Sequence, residues 1–449
     1  MIAININNTP IYPPLHEVLK HVRKQGRKSQ GEIADKLYMS RSNYSCIETG
    51  KQLPSEEHYQ AIKCILGADD IPFRISERPH YKSLLKVFYN LISERRLDTA
   101  KEIHKRLSNI TLIPWETEYN TTFSLYECRY LLNLDKLDEA NAILDSFAVD
   151  LDKLNPTQMY HYCYNRGLYD EKINSIDTAL DFYNQASDLT PDGQKLSNNL
   201  CFNIFVCHNK LGYISKSLEY LHEAIEINAT SQTKISEFHL YNALGANYIL
   251  IGHLRGGRYE LKKALLIADT EYNLNKNETT KKHMGMVLIN HGYLYRTSKL
   301  YNRAIGVLNN AKKYLNKNDE YYFEVIYQIA CCIIESDNLL NAIDTINEGI
   351  ELSKGNEAYS LMFEALKIMA SPDDISIERL SQEILPYFIE NNHVGIVMDF
   401  AKFLRKYYKD NFRGNLKRAL EMSEVCFVTQ SKINEGGVIE WENDLLDFY

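Results

Sequence analysis

With 449 residues the chain is too long for one ordinary hydrophobic core, and its few Gly (20) and Pro (11) disfavour a fold made of many short strands. No stretch approaches the roughly 18 to 20 apolar residues that a membrane span needs, and no basic segment precedes an apolar run at the N-terminus, so we expect neither a membrane span nor an export signal. Nine cysteines without a CxxC pair indicate free thiols in a reducing cytoplasm rather than disulfides or a zinc site.

Charge is distributed unevenly along the chain. Residues 1–53 contain eight Lys and Arg against four Asp and Glu, a net charge of +4, whereas the whole chain carries −8. A small basic segment therefore precedes a large acidic one. This division suits a module that binds a polyanion, joined to a domain that does not touch it.

Residues 15–66 have the pattern of four or five short helices. Apolar residues at helical spacing predict the first helix. Ser29, three residues before Glu32, predicts a capping box at the start of the second. After a tight turn, Ser40 is suited to cap a third helix over residues 41–48.

One part of this segment carries a specific string of residues. It comprises Ser29-Gln30, Ile33-Ala34-Asp35-Lys36-Leu37, Ser40-Arg41-Ser42-Asn43-Tyr44-Ser45-Cys46-Ile47-Glu48-Thr49-Gly50-Lys51 and Pro54-Ser55. The string resembles the Cro/cI (XRE) helix-turn-helix domain of phage repressors, with caps and buried positions in register. It departs from the family pattern at Gly31 and Tyr38. The resemblance implies a DNA-binding domain over residues 10–68.

The resemblance also implies how this domain contacts DNA. The recognition helix lies in the major groove with its N-terminal residues on base edges, and the preceding helix crosses the backbone. Base contacts are expected from Arg41, Ser42, Ser45 and Cys46. Phosphate contacts are expected from Gln30, Ser40, Asn43 and Lys51. Outside this motif, Arg41 would be interpreted as an ordinary solvated charge.

Beyond an expected linker at residues 69–80, the chain repeats itself. A small residue recurs at intervals of 38 to 40 residues, with one interval of 47. The positions are Ala100, Ala140, Ala179, Ser217, Gly257, Ala304, Ala342 and, two periods later, Ala419. This period indicates an array of about eight helical hairpins.

The residues around these positions resemble tetratricopeptide repeats in slightly lengthened form. The clearest units contain Gly167, Ala179, Tyr183, Ala186 and Pro191; Leu244-Gly245, Tyr248, Gly252, Leu261 and Ala264; and Gly292, Tyr295, Ala304, Leu308 and Ala311. The resemblance implies an all-α chain in which residues 81–431 form a right-handed superhelix for ligand sensing and dimerisation. Residues 432–449 are then a C-terminal tail.

In such a superhelix the first helix of each hairpin lines a concave surface. An Asn amide both donates to and accepts from an extended peptide backbone, so Asn on this surface suits peptide binding. The residues expected to face inward are Arg129, Asn133, His161, Tyr164, Asn199, Asn209, Asn242, Tyr293, Arg296 and Tyr327. The chain is rich in Asn and Tyr throughout, so each of them is also compatible with ordinary surface.

A helix-turn-helix domain followed by such repeats resembles the RRNPP group of quorum-sensing regulators of Gram-positive bacteria. The resemblance implies a cytoplasmic homodimer that binds operator DNA and is switched by a short signalling peptide in the concave face. Two alternatives remain: a repeat scaffold that binds a protein partner, with DNA binding secondary, and a phage receptor of the arbitrium kind.

Catalysis is the competing class of function. The sequence contains no HExxH, GxSxG, GxGxxG or GxxxxGK[ST] motif. His161 and Cys163 lie two positions apart on one predicted helix, so their side chains face different ways. We therefore expect no enzyme activity, no metal and no cofactor.

Overall fold

The computed structural model describes residues 3–4, 10–11, 15–52, 54–66, 79–108, 117–190, 196–230, 235–336, 338–411 and 416–435. The chain divides into two compact units, Met1–Gln194 and Lys195–Tyr449. The described secondary structure is helical apart from two short strands, Ala3–Ile4 and Pro10–Ile11, which pair antiparallel. The predicted all-α class is confirmed.

Four short helices form the N-terminal head of the first unit, the part predicted to bind DNA. They are α1 (Leu15–Gln25), α2 (Gln30–Lys36), α3 (Arg41–Glu48) and α4 (Glu56–Leu66). Leu19, Ile33, Tyr44 and Ile62 are fully buried and form the centre of a small core. Each of the four helices supplies one of these side chains, so the core holds all of them together.

Local capping residues set the bounds of α2 and α3. The Ser29 hydroxyl accepts a hydrogen bond from the Glu32 backbone N–H (3.1 Å), and the Glu32 carboxylate accepts one from the Ser29 N–H (2.5 Å). Ser40 caps α3 by accepting from the Asn43 N–H at 3.2 Å. After α3 the chain turns at Gly50, whose φ is +72°. The predicted capping box and the predicted third helix are both confirmed.

Helical hairpins follow in both units. The first unit contains α5 (Pro79–Ser93) with α6 (Leu97–Ser108), α7 (Thr117–Asn133) with α8 (Leu137–Ala148), and α9 (Pro156–Lys172) with α10 (Ile176–Asp188), a 3₁₀ turn at Leu151–Lys153 preceding α9. The second contains α11 (Asn198–Lys210) with α12 (Ile214–Thr230), α13 (Glu237–Leu250) with α14 (Leu254–Leu274), α15 (Glu278–Thr297) with α16 (Tyr301–Ala311), and α17 (Glu320–Glu335) with α18 (Leu339–Leu352). It ends with α19 (Glu357–Ala370), α20 (Asp374–Arg379), a π-helical turn (Leu380–Ile384), α21 (Leu385–Glu390), α22 (Val394–Asn411) and α23 (Leu416–Asn434).

Glycines of the repeat pattern lie where the two helices of a hairpin touch. A Cβ atom at Gly245 would lie 2.6 Å from Leu261, and one at Gly292 would lie 2.5 Å from Leu308. No side chain fits at such a distance, so these positions require glycine if the helices are to keep their spacing. This close approach is what the tetratricopeptide resemblance predicts.

In the first six hairpins, α5 with α6 to α15 with α16, the turn contains a residue with a left-handed backbone, five positions before the periodic small residue. These residues are Arg95, Asp135, Asn174, Gly212, Gly252 and Lys299. Only two of them are glycine, so the hairpin geometry imposes this conformation even on residues for which it costs about 1 kcal/mol.

The last repeat position differs from the prediction. The sequence pattern places a small residue at Ala419. The left-handed residues described after Lys299 are Gly355 and Asn392, and the residue five positions after Asn392 is Val397, which is not small. Ala419 lies instead in α23 and packs, partly buried, against the C-terminal core. The regular period therefore ends at Ala342, because the helices after it follow a different spacing.

The predicted domain limits fall close to helix ends. Helix α5 begins at Pro79, inside the predicted linker 69–80, most of which lies outside the described residues. Helix α23 continues to Asn434, and the predicted tail from residue 436 onward is likewise outside the described part. Among the helices that are described, none has the length and apolar character needed to cross a bilayer.

Candidate DNA-binding and ligand-binding sites

Helix α3 packs one face in the head and leaves the other to solvent. Its buried side chains are Tyr44, Ile47 and Glu48. Its exposed side chains are Arg41, Ser42 and Asn43, with Ser45 and Cys46 half-buried. The four residues expected to contact bases therefore share one accessible face. Because Arg41 is the first residue of the helix, its guanidinium has the freedom to reach a base edge.

A buried carboxylate joins α3 to the two helices before it. The Glu48 side chain is 2% exposed and forms an ion pair with Arg23, which also donates from Nη2 to Glu48 Oε2 at 3.1 Å. Gln30 Nε2 donates to the same oxygen at 2.8 Å. Burial alone would raise the pKa of Glu48, but the hydrogen bonds from Arg23 and Gln30 outweigh it, so the pKa lies below its usual range. This network fixes the angle of the recognition helix.

The residues expected at phosphates differ in how far they are already engaged. The Gln30 amide contacts Glu48, and the Ser40 hydroxyl caps α3. Lys51 is exposed just beyond the end of α3, where its backbone N–H donates to the Cys46 carbonyl at 2.9 Å. Lys51 is the only cation among the four, and its side chain is exposed.

In the first unit, three of the predicted peptide-binding residues come together around Arg129. This side chain is 5% exposed and has no carboxylate partner among the described residues. Its Nη2 donates to the Tyr164 hydroxyl at 3.2 Å, and its guanidinium lies 4.2 Å from the centroid of the same ring. A buried guanidinium held only by aromatic groups keeps its positive charge available to an anion.

His161 packs beside this guanidinium in an aromatic cluster. Its ring makes edge-on contacts with Tyr126 and Tyr89, with centroids 5.0 and 5.1 Å apart. Burial, with a smaller contribution from Arg129, lowers the pKa of His161 to about 3. The imidazole is therefore neutral at physiological pH, and its role in the cluster is to pack against the tyrosine rings.

Several Asn side chains link the first helices of neighbouring hairpins. Asn133 Nδ2 donates to the Ile92 carbonyl at 3.1 Å, between α7 and α5. In the second unit, the donors Asn209 and Asn290 reach Asn247 (2.7 Å) and Asn242 (2.9 Å), respectively. Asn199 is half-buried on α11. The predicted Asn residues thus lie on the first helices, where some of their hydrogen-bonding capacity already stabilises the array.

The second unit contains a cavity of about 510 Å³ bordered by α15, α17 and α22. Two of the predicted residues, Arg296 and Tyr327, line it. Tyr293 is half-buried one turn earlier on α15, where burial and then the nearby Asp399 carboxylate raise its pKa. The three residues predicted in this part of the chain therefore lie in one region.

Comparisons with known proteins agree with this geometry. Residues 19–69 match the helix-turn-helix family HTH_3. The chain is 21% identical over 393 residues to the transcriptional activator NprA of Geobacillus stearothermophilus, covering 84% of this chain and 94% of that protein. NprR, solved with its cognate peptide NprX, matches with a TM-score of 0.60, 16% identity and coverage of 78% and 98%. A Rap protein complexed with the competence and sporulation factor matches with a TM-score of 0.62, 16% identity and coverage of 79% and 98%.

These matches agree with the architecture expected of an RRNPP-type regulator: a helix-turn-helix domain followed by repeats with the fold of NprR and Rap proteins. The head and the repeats predicted from the sequence are the two parts of that architecture. No comparison concerns individual residues, so the DNA-contacting and peptide-contacting residues remain predictions.

Sequence reasoning missed several residues that shape the candidate sites of this chain. Tyr89 and Tyr126 complete the aromatic cluster around Arg129, and Glu335 and Asp399 border the cavity of the second unit. The tyrosines share the helical spacing of core residues and so gave no separate signal. Asp399 follows Arg296 by 103 positions, a separation at which no local pattern operates.

The alternative of a cysteine nucleophile beside His161 finds no support in the geometry. Burial raises the pKa of Cys163 to about 11, so the thiol stays protonated at neutral pH. With a neutral His161 packed among tyrosines, the pair has neither an activated nucleophile nor a solvent-exposed base.

Proposed function

We propose that this RRNPP-type chain is a cytoplasmic transcriptional regulator that binds operator DNA through α3 and is switched by a short peptide bound to its repeats. The observation that carries the proposal is the division of α3 into a buried face and an accessible face that begins at Arg41. A relative named as a transcriptional activator and a fold neighbour solved with a cognate peptide support both halves of it.

The DNA-binding step follows from the geometry of the head. With α3 in the major groove, Arg41 forks onto the O6 and N7 atoms of a guanine, a contact that contributes about 1 to 3 kcal/mol of discrimination. Ser42, Ser45 and Cys46 lie along the same groove. Lys51 pairs with a phosphate and fixes the register.

The peptide-binding step uses the first helices of the repeats. Buried polar side chains on these helices, above all Arg129, offer charged and hydrogen-bonding groups that a globular core would not retain without a purpose. Their Asn neighbours supply amides for the backbone of an extended peptide.

Regulation then requires two states of a homodimer. A peptide shifts the equilibrium only if it binds one arrangement of the repeats better than the other. The favoured arrangement sets the separation of the two heads and hence the fit to two operator half-sites. We propose no catalytic step.

The test of the DNA-binding step is Arg41→Ala in the full chain. Fluorescence anisotropy would measure the dissociation constants for an operator duplex, selected from random DNA, and for a scrambled duplex. We expect the preference for the operator to fall about 10- to 100-fold, because the lost guanine contact acts on specific binding alone. The matched variant Lys51→Ala should weaken both complexes alike and reduce the salt dependence by about one ion.

An unchanged preference in Arg41→Ala would refute the assigned role of α3. If the chain is instead a scaffold with secondary DNA binding, Arg41→Ala should leave the binding of its protein partner unchanged. Its DNA binding should then show little operator preference even in the unaltered chain.

A further inference from the structure

The cavity in the second unit is lined by charged and aromatic side chains. We term it the C-terminal pocket and define it by Arg296, Tyr327, Glu335, Asp399, Phe403 and Tyr407. Its residues come from α15, α17 and α22, so it lies beside the first helices of two successive hairpins. A volume of about 510 Å³ is enough for one or two amino-acid side chains.

The Arg296 guanidinium is already paired with acidic side chains of the same pocket. Arg296 donates from Nε and Nη2 to Glu335 Oε1 at 3.0 and 2.5 Å, and from Nη2 to Asp399 Oδ2 at 2.8 Å. Its Nη1 donates to Gln328 at 3.1 Å. Arg296 is therefore a poor receptor for a further anion.

The two carboxylates, in contrast, carry more negative charge than Arg296 offsets. Glu335 and Asp399 together carry two negative charges against the single positive charge of Arg296. In the described part of the chain, no residue donates to the second oxygen of either carboxylate. Arg296 and the two carboxylates, of which Glu335 is exposed and Asp399 half-buried, thus keep one net negative charge and two carboxylate oxygens to which no described residue donates.

The Tyr327 hydroxyl, also in the C-terminal pocket, is buried without a hydrogen-bond partner among the described residues. The Tyr327 side chain is 1% exposed. Such a group costs about 1 to 3 kcal/mol unless a partner arrives. Its position in the lining of the C-terminal pocket indicates that a ligand supplies this partner.

The other side chains of the pocket restrict the ligand further. The rings of Phe403 and Tyr407 stack with centroids 6.3 Å apart and offer aromatic surface next to the carboxylates. The exposed side chains that also line the pocket carry both signs of charge: Lys402, Lys406 and Asp410. The two aromatic rings therefore suit the apolar stem of a ligand whose charged group lies at the carboxylates of Glu335 and Asp399.

We propose that the C-terminal pocket binds a cationic nitrogen on an apolar stem, with its N–H groups directed at Glu335, Asp399 and the Tyr327 hydroxyl. This inference rests on the proposed peptide binding and specifies the chemistry of the peptide. The cation is either the amino terminus of the peptide or the side chain of a Lys or Arg, since both present the same donors.

The experiment uses the full chain and a positional-scanning library of synthetic heptapeptide amides, each prepared with a free and with an acetylated amino terminus. Competition binding should rank members with a cation at one fixed position at least 10-fold above those with Leu or Asp there. A loss of this preference on acetylation assigns the cation to the amino terminus, and its persistence assigns it to a side chain.

Variants of the pocket locate the effect. Asp399→Asn should weaken the preferred peptides about 10-fold while its amide oxygen still accepts from Arg296. Tyr327→Phe should weaken them several-fold without lowering the melting temperature, because the lost hydroxyl has no partner in the free protein. Asp344→Asn, which removes an exposed carboxylate elsewhere in the same unit, should change neither quantity.

Two results would overturn the inference. If peptides bind without a preference for a cation, or bind both pocket variants as well as the unaltered chain, the C-terminal pocket is not the cation site, while peptide regulation stands. If no library member binds at all, peptide binding itself is refuted together with this inference, and the DNA-binding test at Arg41 remains separate.

Discussion

Glu48 shows how a single buried residue determines the geometry of the DNA-binding head. It lies on the inner face of α3 and receives hydrogen bonds from α1 and α2, through Arg23 and Gln30. Three helices are thereby tied at one carboxylate. Because the opposite face of α3 carries the residues expected at the bases, an error in this angle would move all of them together.

This role predicts a pH-dependent contribution of Glu48 to stability. The carboxyl pKa is lower in the folded head than its ordinary value, so the stabilisation is present above about pH 4.5 and is lost as the pH falls through the folded-state value. Glu48→Gln should destabilise the head by about 3 kcal/mol at pH 7, because it leaves Arg23 without its counter-ion. The difference from the unaltered chain should shrink at acid pH.

Hydrogen exchange of residues 15–52, corrected for the intrinsic pH dependence, measures both effects. Asp35→Asn is the matched control, because Asp35 is an exposed carboxylate on α2. Equal protection of the Glu48→Gln variant and the unaltered chain at pH 7 would contradict the assignment.

At the scale of the helices, contact between paired elements depends on glycine only at certain positions. Gly292 and Gly306 belong to the same hairpin but differ in their surroundings. A Cβ atom at Gly292 would meet buried Leu308 at 2.5 Å, whereas at Gly306 nothing lies within 4 Å. The two glycines therefore make a matched pair.

Alanine should have opposite effects at these two positions. Gly292→Ala should lower the free energy of unfolding of the full chain by about 1 to 3 kcal/mol, since the helices must move apart. Gly306→Ala should raise it by up to about 1 kcal/mol, because alanine is the better helix former at an exposed site. Urea unfolding followed by circular dichroism gives both values, and a Gly292→Ala variant as stable as the unaltered chain would show that the hairpin can relax.

The elements that the sequence predicted well are those determined by nearby residues. The capping box of α2 spans four residues, and the repeats return every 38 to 40 residues as the same local packing rule. The Arg296–Asp399 pair could not be predicted, because α22 follows the regular repeats with a spacing of its own. The same break explains why the sequence pattern assigned Ala419 to the repeats although it lies in α23.

At the scale of the molecule, the two proposed functions belong to parts of the chain with opposite net charge. The basic head suits a phosphate backbone, while the acidic remainder of the chain is repelled by it. Such a distribution favours the prediction that DNA contacts lie within residues 15–66. A single head with one short recognition helix buries too little surface for high specificity, so strong selectivity requires two heads acting together.

The predicted homodimer therefore constrains the operator. Two heads related by a two-fold axis should require a near-palindrome whose half-site centres are about 34 Å apart, or a multiple of it, so that both recognition helices meet the same side of the duplex. Inserting 5 base pairs between the half-sites should abolish specific binding by turning one half-site to the opposite side. Inserting 10 base pairs should restore part of the specific binding, to the degree that the dimer tolerates a longer span.

Light scattering of the complex should give two chains per duplex. Arg41→Ala should lower the affinity for the palindrome more than the affinity for a single half-site. Binding of one chain to one half-site with unchanged specificity would rule out the symmetric dimer as the DNA-binding form.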